Sequence, residues 1–292
     1  MIFLNKEKKW LMNTSEETTK MVLTDIQAIR QEVLAAVVKS QKRLTPGELE
    51  KRLSQKFTAE KDALKTAIRN LVADQELVYT YNFGCSFLEK SFNKPVRISK
   101  RIILKPPHTL YRPISDEVVI EIQPGASFGS GEHPTTRLAI RGIEQALSKK
   151  EFSQKGVDIQ ALDIGTGSGV LAIVAVSLGV KRVLGIDIDP CARAEAKENV
   201  KLNNLENRIE IHDRNIEKID HKFSLITANL RYPTLKQLYS HITKITDKGS
   251  SFVVSGIKTN EVSDLLNIFT QKYFRCIRQE SEKGWAGLVF ER

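Results

Sequence analysis

The sequence predicts an α/β fold: a doubly wound, mostly parallel sheet with helices on both faces, preceded by a small helical domain that ends in a hairpin. Three observations lead there. From residue 159 onward, short β-branched runs alternate with helical patterns, the order that builds a parallel sheet. A glycine-rich turn from Gly165 to Gly169 joins an apolar strand to an apolar helix, the connection at which such sheets bind ligands. Before residue 93 the apolar period is helical three times over and then switches to alternation.

Residues 1–25 are polar and weakly patterned, and are expected to form a flexible or partly helical arm. Ile26, Ile29, Val33, Leu34, Val37 and Val38 recur at helical spacing and predict a first helix. Thr45, Pro46 and Glu48 supply the N-cap, first-turn proline and capping-box glutamate of a second helix reaching Leu53. Thr58 is expected to open a third helix in a similar way, with Leu64, Ile68 and Leu71 as its buried stripe. Leu77–Tyr81 and Ser86–Lys90 then read as a hairpin around Asn82 and Gly84. A first domain therefore covers 26–92 and a second 93–292, the latter starting with an extended stretch, 93–124, punctuated by five prolines. Alternation at Val96–Ile98 and Val118–Ile122 suggests strands in that stretch. Beyond it the expected order is strand 159–164, helix to Leu178, strand 182–188, helix to Asn203, strands 208–212 and 223–228, helix to Ile245, strand 251–255, helix to Tyr273 and two closing strands.

A chain of 292 residues with 41% hydrophobic and 27% charged residues belongs with globular proteins rather than disordered or fibrous ones. The longest apolar run, Val170 to Val180, is too short to cross a bilayer, and the N-terminus lacks a signal-peptide pattern, so a cytoplasmic location without membrane contact is expected. Three scattered cysteines without a CxxC predict neither a disulfide framework nor a metal site. Residues 1–112 hold 21 basic and 12 acidic side chains, against 24 and 23 in the remainder. That imbalance suggests an acidic partner for the front of the chain, or merely solvated helix faces.

Asp163, Gly165, Thr166, Gly167 and Gly169 form the turn that brings backbone close to a ligand. A nicotinamide-binding turn would need a third glycine where Val170 stands. The GxGxG spacing with its preceding acid instead resembles motif I of class I methyltransferases. Asp187 ends the next strand, about 20 residues on, where a carboxylate accepts hydrogen bonds from ribose hydroxyls. Asp189 reads as the N-cap of the following helix, with Pro190 at its first position. Asp213 ends the third strand, either near an adenine amino group or as a strand-end turn. Asn229 ends the fourth strand, and with Tyr232 and Pro233 it is reminiscent of the [DN]PP[YF] locus of amino-group methyltransferases. Upstream, the glycine-rich loop 124–133 runs into a helix that Thr135 or Thr136 could cap.

Taken in order, these motifs, with Ser255 to Ile257 and the closing Gly284, Trp285 and Gly287, resemble the PrmA-type ribosomal protein methyltransferases over residues 96–292. The resemblance implies a Rossmann-like class I fold with a seven-stranded sheet, S-adenosylmethionine as cofactor, and N-methylation of amino groups, lysine above all, on a ribosomal or other protein. It implies cofactor contacts at Thr136, Gly165, Asp187 and Asn229, with Asp163, Thr166, Gly167, Gly169 and Asp213 around them. Asn229 and His133 are the candidates for catalysis, and no metal is expected. The chain departs from the family at the acceptor end, with Glu132 in place of a threonine and Arg231 and Tyr232 in place of small apolar residues. Residues 26–92 resemble a winged helix-turn-helix in layout, where the family has a small α/β module. Lys61, Lys65 and Arg69 on its third helix suggest nucleic-acid contact, which leaves a DNA or RNA methyltransferase and a non-catalytic ligand-sensing regulator as alternative readings.

Overall fold

A computed structural model describes residues 21–22, 26–40, 42–58, 61–82, 84–123, 125–148 and 160–292. All of the expected arm except Met21 and Val22 lies outside them. The first domain contains α1 (Ile26–Lys39), α2 (Pro46–Lys56), α3 (Lys61–Ala73) and a hairpin of β3 (Leu77–Asn82) and β4 (Cys85–Lys90). Its capping box forms as the sequence predicts: the Glu48 amide donates to Thr45 Oγ1 (3.2 Å) and the Thr45 amide to Glu48 Oε2 (2.9 Å). Phe57 and Thr58 form a two-residue strand, β2, paired in parallel with β1 (Met21–Val22), and the start of the third helix expected after Thr58 lies in residues 59–60, outside the described residues. Ile29, Val33, Leu49, Leu64, Ile68, Leu77 and Leu88 make a core of their own.

Next comes a three-stranded sheet of β5 (Val96–Arg97), β6 (Ile102–Lys105) and β7 (Val118–Glu121). The sequence shows no alternation at β6 because Ile102, Ile103 and Leu104 are all buried, and strands covered on both faces lose their period. This sheet shares its core with the α/β sheet that follows, since Val96, Ile102, Leu104 and Ile120 pack with Ile140, Val174 and Leu225.

The main sheet runs β10 (Ile209–His212), β9 (Arg182–Ile186), β8 (Gln160–Ile164), β11 (Phe223–Asn229), β12 (Thr246–Lys258), β14 (Trp285–Glu291) and β13 (Arg275–Glu282). All pairings from β10 to β12 are parallel, while β14 is antiparallel to both neighbours. Successive residues serve opposite faces: Leu225, Val253 and Val289 lie under one core, and Ile226, Phe252 and Phe290 under the other. The first face is covered by α4 (Pro134–Leu147), α5 (Val170–Ser177) and α6 (Pro190–Leu202); the second by α7 (Tyr232–Ile245) and α8 (Val262–Phe269). Asp189 caps α6 as predicted, accepting from the Cys191 amide at 2.8 Å. In α4, by contrast, the cap is His133 rather than either threonine, because Pro134 takes the first helical position and pushes the cap one residue upstream. No helix among the described residues is long and apolar enough to cross a membrane.

The second core is organised by Phe252, Phe269, Phe274 and Phe290, with Phe269 stacked on Phe290 at 5.4 Å between ring centroids. Truncating Phe269 to alanine leaves a cavity among the rings of Tyr239, Phe252, Phe274 and Phe290, and urea unfolding should show a loss of about 3–5 kcal/mol.

Candidate active site

The main sheet opens at its strand ends between β8 and β11, where the chain order reverses from one direction of winding to the other. Gly165 to Gly169 follow β8 there. The turn is hung from β9, whose Ile186 carbonyl accepts from the Gly165 amide (2.8 Å) and the Thr166 amide (3.0 Å). Gly167 has φ +54°, and a Cβ there would collide with the Phe128 carbonyl oxygen, so no larger residue fits between turn and overlying loop. The Ser168 amide donates to that same carbonyl at 2.9 Å.

Asp163 lies beneath the turn rather than in the cleft, 1% exposed. Thr227 on β11 donates to one of its oxygens (2.6 Å) and Thr166 to the other (2.7 Å). Burial pushes its pKa up to about 6, against those two hydrogen bonds. Asp187, at the end of β9, presents a carboxylate already oriented by backbone: Oδ2 accepts from the Gly167 amide (2.9 Å) and Oδ1 from the Asp189 amide (3.0 Å). Each oxygen keeps acceptor capacity for a ligand.

A cleft of about 650 Å³ extends over these strand ends, a volume in the range of small-molecule sites. Of the residues singled out in the sequence, it brings together Gly165, Thr166, Gly167, Asp187, Asp213 and Asn229. Asp163, Gly169, Thr136 and His133 do not line it. Gly169 instead begins α5 and backs onto Ala196. The cleft also contains an apolar wall that sequence patterning missed: Ile188, Ile216, Leu230 and, from α7, Leu238. Ile188 offered a signal, since it is an apolar residue between two aspartates, and it is 94% exposed.

Among the described residues, three buried polar atoms at this end of the sheet have no hydrogen-bond partner: Thr136 Oγ1 in the first turn of α4, Ser168 Oγ in the glycine turn and Asn229 Oδ1 at the end of β11. Unpaired buried polar groups are costly, and of these three residues Asn229 is the one that lines the cleft. His133 accepts from the Thr135 amide through Nδ1 and is packed between Phe128 (5.1 Å) and Trp285 (4.9 Å). Burial, reinforced by Arg137, lowers its pKa to about 4, so the ring is neutral near pH 7. Arg137 holds the preceding loop by donating to the Gly131 carbonyl (2.9 Å) and pairs with Glu282 on β13.

A sequence model of the PrmA family, described as ribosomal protein L11 methyltransferase, matches residues 86–292. The ribosomal protein L11 methyltransferase of Clostridium perfringens is 32% identical over 200 residues, which is 68% of this chain and 61% of that protein. The protein of the same description from Clostridium botulinum is 38% identical over 188 residues, 64% of this chain and 56% of its own length. The chain thus spans about three fifths of the length of the curated relatives it matches. A crystal structure of ribosomal protein L11 methylase from Lactobacillus delbrueckii subsp. bulgaricus superposes with a TM-score of 0.61 at 30% identity, covering 68% of this chain and 98% of that one.

The two buried titratable groups set opposite pH dependences. Asp163 has a folded pKa of about 6 against 3.8, so the folded state binds more protons between those values and stability falls as pH rises through them. His133 has a folded pKa of about 4 against 6.5, so its contribution is complete above 6.5 and is lost as pH falls toward 4. Asp163→Asn should therefore gain in Tm relative to the parent as pH is raised from about 4 to 6. A Tm difference that stays flat over that range would contradict the buried-carboxyl assignment.

Proposed function

The chain belongs to the PrmA family of ribosomal protein L11 methyltransferases, and from that premise we propose that it is an S-adenosylmethionine-dependent enzyme methylating amine nitrogen, lysine above all, on a ribosomal protein. The observation that carries this reading is the buried, unpartnered Asn229 Oδ1 at the wall of the cleft, an acceptor in want of a donor. An amine N–H is such a donor.

S-adenosylmethionine supplies a methyl group on a sulfonium, whose transfer breaks a C–S bond, forms a C–N bond and leaves one proton to depart from nitrogen. The residues around the cleft suit that molecule. Asp187 takes the ribose hydroxyls on the acceptor capacity that its two backbone contacts leave open. Gly165, Thr166 and Gly167 bring backbone against the cofactor, with Asp163 and Gly169 shaping the turn from below and behind. Ile188 would offer its apolar surface to the adenine and Asp213 an acceptor for its amino group, both residues being part of the cleft lining. Thr136, wholly buried in the first turn of α4, does not line the cleft, so the cofactor contact expected there has no support in the cleft's lining. Asn229 orients the acceptor amine so that its lone pair is aligned for displacement, and the surrounding apolar wall keeps water from it. His133, with Nδ1 engaged and protonation disfavoured, serves as an aromatic wall beside Trp285 rather than as a proton acceptor.

In this reading residues 26–92 help choose the acceptor. Their hairpin meets the second domain beside Trp285, where Glu89 pairs with Lys283 (3.7 Å), and Phe92 lies under the Arg137 guanidinium at 5.5 Å. Glu132, one of the departures from the family, opens onto the same seam. Lys65 and Arg69 are exposed on α3, a helix whose three basic residues are accompanied by one acidic residue, exposed Asp62.

Asp187→Ala removes two charge-assisted hydrogen bonds and should weaken S-adenosylhomocysteine binding by about 100-fold or more in calorimetry. Undiminished affinity would overturn the cofactor site. Asn229→Ala should lower kcat while leaving the cofactor KM within a few-fold. For the acceptor, extract incubated with the protein and methyl-labelled cofactor should lose its label to protease and keep it under nuclease; the reverse would reject a protein acceptor in favour of nucleic acid.

A further inference from the structure

Loop Ala126 to Gly129 forms one wall of the cleft, yet it contains no regular structure, and its neighbouring turn is glycine-rich. What holds it is a ladder of side chains on one face of α6 and its C-cap, spaced four residues apart. Glu195 accepts from the Ala126 amide through Oε1 (3.0 Å) and from the Ser127 amide through Oε2 (2.9 Å). Asn199 accepts from the Gln123 amide (2.9 Å), and Asn203 both accepts from the Glu121 amide (3.0 Å) and donates to the Glu121 carbonyl (2.7 Å). The helix thus offers the end of β7 and the residues after it the donors and acceptors that a neighbouring strand would supply. Asn199 does more than its neighbours. It is 1% exposed, and its Nδ2 donates to the Ser168 carbonyl at 2.9 Å, so a single amide ties the overlying segment to the glycine turn beneath.

The geometry points to Glu195 and Asn199 as positioning residues that hold Ala126, Ser127 and Phe128 against the glycine turn and so set cofactor affinity without touching the cofactor. This rests on the reading of the cleft as an S-adenosylmethionine site. Neither residue lines the cleft, and both act on backbone groups: Glu195 on the Ala126 and Ser127 amides, and Asn199 on the Gln123 amide and the Ser168 carbonyl, beside the direct contact from the Ser168 amide to the Phe128 carbonyl. Glu195 is also part of no core cluster, so changing it removes the hydrogen bonds without opening a cavity. Asn199→Asp is the sharper replacement. It keeps the acceptor for Gln123 but sets an oxygen against the Ser168 carbonyl, separating the two functions of one side chain.

The experiment has two readouts on the full chain. Amide hydrogen exchange without cofactor should speed up at Ala126 and Ser127 by about tenfold in Glu195→Gln, which keeps one acceptor oxygen, and further in Glu195→Ala. In parallel, S-adenosylhomocysteine affinity should fall in the same order, with Tm unchanged. Asn199→Asp, which loses the donor to the Ser168 carbonyl and keeps the acceptor for Gln123, should weaken affinity by about tenfold while exchange at the Gln123 amide stays within a few-fold of the parent. Unaltered exchange at Ala126 and Ser127 would overturn the proposal, as would an affinity loss that tracks a fall in Tm, the mark of a merely structural role. If the parent itself binds no S-adenosylhomocysteine, the reading of the cleft fails, while exchange at these amides still decides whether the ladder holds the loop.

Discussion

The Asp163 carboxyl is almost wholly excluded from water, and its oxygens are taken up by Thr227 on the neighbouring strand and Thr166 in the turn that follows. A buried carboxyl without donors would be too costly to keep, so these two hydroxyls tie β8, β11 and the glycine turn into one unit. The cleft opens above that unit because β8 and β11 send their chains to opposite sides of the sheet. Every other feature of the site is referred to it: Asp187 through the Gly167 amide, the loop at Phe128 through Ser168, and Asn229 through the strand that Thr227 anchors.

The site is then enclosed from three directions by groups that never enter it. Ile186 suspends the turn from β9, the α6 ladder restrains the segment before Phe128, and Arg137 grips the carbonyls of the loop ahead of α4. Glu282 on β13 receives both Arg137 and Arg141, so the last hairpin of the sheet is linked to the loop that carries His133. Such a scheme leaves few degrees of freedom to be frozen when a ligand arrives, which favours binding.

Charge reads differently once the fold is known. The excess of basic residues at the front of the chain is concentrated in 93–112, which holds six basic and no acidic side chains, whereas 26–92 holds 11 and 8. Three of those six are paired across the three-dimensional structure: Lys94 with Glu76, Arg97 with Glu117, and Lys105 with Glu121. Much of what looked in the sequence like a surface for an acidic partner is internal neutralisation, made by acids distant along the chain.

The sequence by itself determined the α/β class, the order of strands and helices in the main sheet from residue 160 onward, the capping of α2 and α6, and the placement of Gly165, Gly167, Asp187 and Asn229 at strand ends. These are legible because period, caps and turn chemistry are local, set within a few residues. Only the tertiary structure decided that Asp163 lies under the cleft rather than in it, that His133 rather than a threonine caps α4, and that Thr58 belongs to a strand. It alone found β6, whose continuous apolar run has no period to betray it, and the Glu195 and Asn199 ladder, whose residues look like any polar helix face. The physical reason is the same in each case. Burial, pairing and hydrogen bonding between segments tens of residues apart depend on where other elements pack, and no local pattern in the chain encodes that.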